Sequence, residues 1–293
     1  MRAVFLKLLF HLFAALPLPV AHAIGAMLGR LFLIIPNKRR RTAEINLRLC
    51  FPEMSRGARQ RLLRRNMIEL GKSFTEIGPL WTRGEKNIRR LVRHVSGEDK
   101  LKKAMQRGQG LLLALPHLGA WEMVNFYCSL RYPFTALYRA PPMSQMGTLM
   151  RKARERFSAR LVSTDNTGIR ALYKALARGE IVAILPDQVP ASRSGSVFAP
   201  FFNIPASTMV LLSRLAIKSG APVIFGYAER LTRGRGYHLH FLPAPAEIGH
   251  GSIESSAAEV NAMVEKCARS TPEQYQWVYK RFRVRPPGGP ALY

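Results

Sequence analysis

The sequence predicts an α/β fold with a mixed, mostly parallel central sheet flanked by helices and an N-terminal hydrophobic membrane-anchoring helix. From Leu91 onward, short apolar runs alternate with segments whose apolar residues recur at helical spacing. This alternation is typical of a sheet covered by helices on both faces. The turn at Gly234–Gly236 separates two apolar runs and predicts an antiparallel hairpin, which makes the sheet mixed. A long uncharged stretch precedes the alternation.

That stretch places the predicted anchor in residues 1–36. Leu8–Gly29 contains no Lys, Arg, Asp or Glu, and its length is close to the roughly 20 residues that a bilayer core requires. The basic run Lys38–Arg41 follows, which predicts that the rest of the chain lies on the cytoplasmic side. Two other interpretations remain open at this point: a signal peptide cleaved after Ala23, and a buried pair of core helices.

Residues 37–293 form one predicted catalytic domain, because no repeat or low-complexity linker divides them. Its first helix is expected over Gly57–Leu80, where the arginines opposite the apolar residues either face solvent or meet anionic headgroups. The predicted strands are Leu91–Val95, Leu111–Leu115, Phe134–Tyr138, Ile181–Leu185, Val223–Tyr227 and Tyr237–Phe241. The predicted helices are Glu98–Arg107, Trp121–Leu130, Met146–Phe157, Gly168–Arg178 and Thr208–Ser219, with a last helix over Glu273–Arg283.

The charge of the chain restricts its partners. Lys and Arg outnumber Asp and Glu by 45 to 18, a formal net charge of +27. Such an excess favours a polyanionic partner: nucleic acid, an anionic membrane or an acidic protein. No helix-turn-helix, zinc or aromatic RNA-binding pattern is present, so no nucleic acid partner is expected, although a membrane-tethered nucleic-acid-binding protein stays as the alternative from another class. The scattered cysteines and the spacing of the histidines predict no disulfide framework, no metal and no organic cofactor.

The strongest chemical pattern lies at the end of the apolar run Leu111–Leu115. Pro116 closes the run, His117 follows it, and Glu122 falls in the first turn of the next predicted helix. A histidine at the end of a core strand is a plausible general base, and the carboxylate a plausible orienting group for its ring. The alternative is a surface histidine beside a surface acid. No Gly-x-Ser-x-Gly turn accompanies them, which disfavours a covalent intermediate.

Further blocks follow in a fixed order along the chain. They are Asn46–Glu53, the His117-x4-Glu122 pair, Gly168–Glu180 leading to Pro186-Asp187-Gln188, Val197–Phe202, Pro205–Thr208 opening a helix, and Glu273–Phe282. The series resembles the late acyltransferases of lipid A biosynthesis, within the lysophospholipid acyltransferase superfamily, over nearly the whole chain. The resemblance implies an enzyme of the bacterial inner membrane, with its catalytic domain on the cytoplasmic face. Its acyl donor would be acyl carrier protein, and its acceptor a hydroxyl of a phosphorylated glycolipid, the lipid A precursor.

The resemblance also implies roles for individual residues. His117 corresponds to the general base and Glu122 to its partner. A site arginine corresponds to either Arg154 or Arg156, because the spacing from the two sides differs by two residues. Two more substrate-binding positions are implied at Arg139 and Asp187. The runner-up hypothesis is an acyltransferase with the same chemistry that acts on another membrane acceptor: a lysophospholipid, an aminolipid or a glycolipid.

Overall fold

The computed structural model describes residues 10–138, 144–190 and 195–293, with residues 144–146 described by their backbone alone. The strands are β1 (Val92–Ser96), β2 (Leu111–Ala114), β3 (Phe134–Leu137), β4 (Ala159–Val162), β5 (Ile181–Ile184), β6 (Ser196–Phe201), β7 (Ile204–Met209), β8 (Val223–Arg230) and β9 (Tyr237–Pro243). The helices are α1 (Leu18–Ile34), α2 (Lys38–Cys50), α3 (Arg56–Thr82), α4 (Glu85–Leu91), α5 (Glu98–Gln106), α6 (Trp121–Ser129), α7 (Ser144–Arg154), α8 (Asn166–Ala177), α9 (Leu211–Ser219), α10 (Glu247–His250) and α11 (Ile253–Ser270).

The main sheet confirms the predicted mixed, mostly parallel sheet of an α/β fold. Seven strands follow the order β1-β9-β8-β2-β5-β3-β4 among the described residues. Every neighbouring pair is parallel except β8 and β9, which form the expected antiparallel hairpin. Gly236 in its turn has φ +112°, and a Cβ there would lie 2.2 Å from the Leu91 carbonyl oxygen. Only glycine fits this close approach, so the Gly-rich turn has a steric cause.

Strand β2 forms the centre of the core. All four of its residues are buried. Leu112 and Ala114 join the apolar cluster on one side of the sheet, and Leu111 and Leu113 join the cluster on the other. Helices therefore cover both faces, and each buried leucine contributes about 1.5–3 kcal/mol. This burial fixes the end of β2, from which the chain continues to His117.

The N-terminal helix α1 packs closely against α3. Gly71 on α3 meets α1 at Gly25, where an added Cβ would lie 1.9 Å from the Gly25 carbonyl oxygen. Within the described residues no single helix is long and apolar enough to cross a membrane, while α1 and α2 satisfy that test only as a pair bent by 83°. The predicted N-terminal membrane helix is therefore not confirmed.

Two of the predicted elements are wrong. Pro205–Thr208 does not open a helix but lies in β7, which pairs with β6 in a separate two-stranded sheet. The turn between them, Phe202-Asn203, has positive φ at both residues, the geometry of a two-residue hairpin. The segment Glu273–Arg283 is not a helix either. Asn46 and Asn66 donate from their side-chain amides to its backbone carbonyls, and these long-range hydrogen bonds replace helical ones.

Candidate active site

His117 lies where the carboxyl end of the central sheet meets the C-terminal segment. It follows the end of β2, and its carbonyl oxygen accepts a hydrogen bond from the backbone N–H of Gln276 at 3.0 Å. Gly119, with φ +59°, lies so close to β8 that a Cβ would be 2.0 Å from the Ala228 carbonyl oxygen. The turn therefore requires glycine. In parallel sheets, ligands bind beyond the carboxyl ends of the strands, which is where His117 lies.

Asp187 orients the His117 ring. Strand β5 neighbours β2, and Asp187 follows β5. Its Oδ1 lies 2.7 Å from His117 Nδ1, and its Oδ2 accepts a hydrogen bond from the His117 backbone N–H at 2.8 Å. Burial alone would raise the pKa of Asp187, but the adjacent His117 and its hydrogen bonds outweigh that effect and lower the pKa. Asp187 therefore stays a carboxylate.

The other ring nitrogen of His117 faces a polar neighbour at the edge of a cavity. The side-chain amide of Gln188 lies 3.1 Å from His117 Nε2 and also donates to Gln276 Oε1 at 3.0 Å. An amide N–H is a donor only, so Nε2 accepts this hydrogen bond, and Nδ1 carries the proton and donates a hydrogen bond to Asp187. This tautomer leaves a lone pair on Nε2, which is what a general base needs.

The sequence predicts that Glu122 orients the His117 ring, but in the structure Glu122 is hydrogen-bonded to another residue. It lies in the first turn of α6, where both of its oxygens accept hydrogen bonds from Arg154 Nε at 2.9 and 3.2 Å. Arg154 Nη2 adds a third hydrogen bond at 2.5 Å. The interpretation of Glu122 as the hydrogen-bond partner of His117 is therefore corrected. Asp187 takes that position because β5 lies beside β2, whereas α6 directs Glu122 towards α7.

The two candidate arginines have different surroundings. The guanidinium of Arg154 lies 4.9 Å from the ring centre of Trp121, at the cavity. Arg156 instead donates to the carbonyl oxygens of Leu80 and Arg83, at 2.6 and 2.7 Å, and so ties the chain after α7 to the end of α3. Burial lowers the pKa of Arg156. The geometry thus separates a cavity arginine from one that binds backbone, and Arg139 lies outside the described residues.

The cavity beside His117 has a volume of about 340 Å³. Its polar side includes His117, Glu122 and Arg154. An apolar wall completes the lining, and α3 contributes Leu70, Phe74, Ile77, Leu80 and Trp81 to it. Such a cavity can hold a molecule with a polar reacting group and a hydrocarbon portion.

A second buried carboxylate supports the turn after His117, and the sequence analysis missed it. Glu76 on α3 accepts hydrogen bonds from Arg230 Nε at 2.9 Å and from the Tyr237 hydroxyl at 3.0 Å. Arg230 Nη2 also donates to the Gly119 carbonyl oxygen at 2.9 Å. Burial would raise the pKa of Glu76, but the charge of Arg230 and the hydrogen bonds from Arg230 and His22 together outweigh it and lower the pKa to about 2. One available signal was an arginine that follows closely after the predicted strand Val223–Tyr227.

The described residues that could hold a metal ion together lie away from this cavity, at Glu229, His238 and His240. The cavity itself combines a histidine–carboxylate pair, a cation and an apolar wall. This set can remove a proton from a polar group, bind an anion and hold a hydrocarbon chain.

Known proteins resemble the chain over almost its whole length. A family model described as bacterial lipid A biosynthesis acyltransferase matches residues 3–284. The chain is 32% identical to the lipid A biosynthesis lauroyltransferase of Escherichia coli K12, over 95% of this chain and 90% of that protein. It is also 32% identical to the palmitoleoyltransferase of the same strain, over 96% and 91% respectively. A myristoyltransferase from that strain is 25% identical, over 92% and 82%.

Proposed function

Because the chain belongs to the bacterial lipid A biosynthesis acyltransferase family, we propose that it transfers a fatty acyl chain from acyl carrier protein to a hydroxyl of a lipid A precursor. The names of the relatives support the acceptor, since each acts in lipid A biosynthesis. The cavity supports the substrate class, because its apolar wall suits an acyl chain and its polar side lies at His117. The net charge of +27 suits an acidic carrier protein and a phosphorylated lipid.

The observation that carries the proposal is the 2.7 Å contact between His117 Nδ1 and Asp187 Oδ1. With Nδ1 protonated, Nε2 accepts the proton of the acceptor hydroxyl as its oxygen attacks the thioester carbonyl carbon. Asp187 stabilises the imidazolium that forms, while the carbonyl oxygen becomes an oxyanion. The tetrahedral intermediate then expels the carrier thiolate, which receives the proton from Nε2. The products are the ester and the free thiol, and no acyl-enzyme is needed.

Gln188 marks the place that the acceptor hydroxyl would take. Its amide lies 3.1 Å from His117 Nε2, the atom that accepts the proton in this mechanism. A bound acceptor therefore displaces the amide, which still has Gln276 Oε1 as a hydrogen-bond partner at 3.0 Å. In the free enzyme this contact keeps Nε2 hydrogen-bonded and preserves the tautomer that the reaction uses.

Arg154 is proposed to bind an anionic group of the acceptor, with Glu122 as its positioning residue. A guanidinium offers a planar fork of donors that matches a phosphate. Glu122 binds the Nε–Nη2 edge of this guanidinium and holds it in place, so it acts through Arg154 and not through His117, and the Nη1 donors remain for the anion. Arg39 on α2 lines the same cavity and adds a second cation at its border.

The proposed location is the cytoplasmic face of the bacterial inner membrane, with residues 1–36 as the attached segment. Large apolar side chains on this part of the chain are exposed: Ile34 is 77% and Ile35 51% accessible. Phe74, at the cavity, is 42% accessible. An apolar surface that continues to the cavity would let a lipid acceptor reach His117 without crossing water.

The test is acyl transfer by the purified full-length chain in mixed micelles. The donors are acyl carrier proteins that carry several chain lengths and, in parallel reactions, acyl-coenzyme A. The acceptors are a lipid A precursor and a lysophospholipid in separate reactions. We expect ester formation on the lipid A precursor and a loss of about 10²–10⁴ in kcat for His117→Ala. The matched control is His250→Ala, an exposed histidine of α10 that does not line the cavity.

Three outcomes separate the hypotheses. Transfer to the lysophospholipid alone supports the runner-up acceptor and rejects the lipid A precursor. Transfer from acyl-coenzyme A but not from acyl carrier protein rejects the proposed donor. If His117→Ala transfers acyl chains as fast as His250→Ala while both remain folded by circular dichroism, His117 is not the base.

A further inference from the structure

A second group of histidines lies on the outer part of the main sheet, away from the cavity. His238 and His240 are two residues apart on β9, so both side chains project from the same face. Glu229 on β8 is the register partner of His238, and His94 on β1 is its partner on the other side. Three adjacent strands thus present four ligand-type side chains on one face, and the acyl transfer mechanism uses none of them.

The potential ligand atoms are close enough to share one ion. One ring nitrogen each of His238 and His240 and one oxygen of Glu229 lie within 4.8 Å of one another. His240 Nε2 and Glu229 Oε2 are 3.2 Å apart. Metal–ligand bonds of about 2.0–2.2 Å place the donors of a tetrahedral zinc site roughly 3.4 Å apart. Small rotations about the side-chain bonds would therefore bring the three atoms to coordination distance.

The charge around Glu229 also points to a cation. The chain has 45 basic residues, and yet the ion pair recorded for Glu229 among the described residues is with His240. The two imidazoles crowd each other, with the His238 and His240 ring centres 3.9 Å apart. Two imidazoles beside one carboxylate form a donor set of the kind that binds transition metals.

Outer contacts hold the ligands in place. Ser96 Oγ lies 2.8 Å from His238 Nε2, and the Tyr227 ring stacks on His240 with ring centres 4.5 Å apart. The Tyr227 hydroxyl is in turn 2.9 Å from Ser270 Oγ on α11. Such second contacts orient ligand side chains in metal sites and strengthen metal binding. The side chains of His240 and Glu229 are 20% and 32% accessible, so an ion can reach them from solvent.

We propose that Glu229, His238 and His240 bind a divalent transition-metal cation of the Zn²⁺ class, with His94 or a water molecule as the fourth ligand. Two imidazoles and one carboxylate form a donor set that zinc accepts readily, whereas Mg²⁺ prefers oxygen ligands alone. The ring centre of His94 is 5.5 Å from that of His238, on the edge strand of the sheet. A bound ion would join β8 and β9, and β1 as well where His94 binds it.

The ion would stabilise the fold and take no part in acyl transfer. Side chains alternate along a strand, so Glu229 projects from the face of β8 opposite to Arg230, which contacts the turn after His117. An ion that binds only the folded chain raises its apparent stability with concentration. The inference therefore stands independently of the proposed function.

The experiment uses the full-length chain in detergent, purified without a polyhistidine tag and stripped of metal by a chelator. Zn²⁺ binding is followed by isothermal titration calorimetry, and Co²⁺ binding by the visible absorption of the bound ion. The test variants are His238→Gln and Glu229→Gln, and the matched control is His250→Gln, which changes an exposed histidine outside the group. We expect one Zn²⁺ per chain, bound by the wild type and the control alike.

The two test variants should bind Zn²⁺ at least about tenfold more weakly. Zn²⁺ should raise the melting temperature of the wild type and of His250→Gln but not of the two variants, and Mg²⁺ should raise none of them. Glu229→Gln guards against misfolding, since it removes only the charge of a partly exposed group. The proposal is overturned if the wild type binds no Zn²⁺, or if both variants bind it as tightly as His250→Gln.

Discussion

Two buried carboxylates, Glu76 and Asp187, lie on either side of the turn after β2, and each contacts a histidine. Both side chains are almost inaccessible, and both pKa values lie below the ordinary value. Burial and a shifted pKa are therefore shared features, and they do not distinguish a structural group from a chemical one. The two carboxylates differ in whether their partner histidine lines the cavity.

Glu76 is enclosed by donors. Arg230 and Tyr237 donate to it, and its histidine partner, His22, is itself 4% accessible and lies 3.0 Å away. The oxygens of Asp187 accept hydrogen bonds from the ring and backbone N–H groups of His117, and the Tyr275 hydroxyl and the charge of Arg281 also act on this carboxylate. Because His117 lines the cavity, a proton can leave or reach Nε2. The comparison shows that a chemical role depends on a histidine whose second ring nitrogen, here Nε2 of His117, lies at the cavity.

The largest expected effect is the loss of stability in Glu76→Ala. The change leaves the Arg230 guanidinium buried without its carboxylate, and breaking a buried pair from one side costs about 3–5 kcal/mol. The measurement is the free energy of unfolding by chemical denaturation in detergent. The matched control is Glu85→Ala, because Glu85 forms an exposed pair with Arg89, of a kind that contributes little. A loss no larger than that of the control would contradict the structural role of Glu76.

The pH dependence of stability sharpens the same assignment. The pKa of Glu76 is lowered from 4.5 to about 2, which corresponds to about 3 kcal/mol. A lowered pKa means that this contribution is present above pH 4.5 and is lost as the pH falls towards 2. Wild type should therefore lose stability over this window. In Glu76→Gln this part of the slope should vanish, and an unchanged slope would place the pH dependence on other groups.

Asp187→Asn should affect the reaction more than the fold. The amide cannot serve as the anionic acceptor that holds Nδ1 protonated, and it cannot stabilise an imidazolium by charge. We expect kcat to fall by about 10²–10⁴, with a much smaller change in the KM for the acyl donor. The measurement is steady-state acyl transfer together with its pH profile. A Gln276→Glu variant would not test this role, because the Gln276 side chain contacts Gln188 and not the His117 ring.

The opposite pattern would reverse the comparison. If Asp187→Asn lost stability but kept its kcat, Asp187 would be a structural group like Glu76. The roles of the two carboxylates would then rest on burial alone, and the base would have to be sought elsewhere in the cavity.

Glu122→Gln tests whether Glu122 acts on His117, as the sequence predicts, or on Arg154, as its hydrogen bonds indicate. Removal of the charge weakens the hold on Arg154, so we expect about a tenfold rise in the KM for the phosphorylated acceptor, or about 1.4 kcal/mol. The pH profile of kcat should keep its shape, because Asp187 still orients His117. Glu85→Gln is the matched control. A displaced pH profile in Glu122→Gln would restore the direct pairing that the sequence predicts.

Much of the fold could be predicted because its strands carry strong local patterns. The runs at Leu111–Leu115 and Ile181–Leu185 are apolar on both faces, and both form strands at the predicted places. Strand β4 was missed because Ala159–Val162 is short and includes an exposed Arg160; its pairing with β3 defines it. The C-terminal segment has helix-like composition, but hydrogen bonds from residues more than 200 positions away determine its path.

The sequence identified His117 and Asp187 as site residues, but it did not show that they contact each other. His117 and Asp187 each follow a strand, and the sequence alone gives neither the strand order nor the fact that β2 and β5 are neighbours. Local spacing favoured Glu122, which is near His117 in the chain but contacts Arg154 across 32 positions. The i,i+2 spacing of His238 and His240 was overlooked, because it places two ligands together only once that segment is a strand.

Tyr237→Phe should have the smallest effect, and its size tests whether Glu76 is enclosed as described. Burial and the charge of Glu76 raise the pKa of Tyr237, so the phenol keeps its proton and donates to Glu76 at 3.0 Å. The change removes one donor of several, and we expect a loss of about 1 kcal/mol in the free energy of unfolding with kcat unchanged. Tyr173→Phe, on a partly exposed tyrosine of α8, is the control. A loss as large as that of Glu76→Ala would mean that Arg230 and His22 cannot hold the carboxylate by themselves. A fall in kcat would mean that the Glu76 network reaches the reaction through Gly119, and the two carboxylates would then belong to one site.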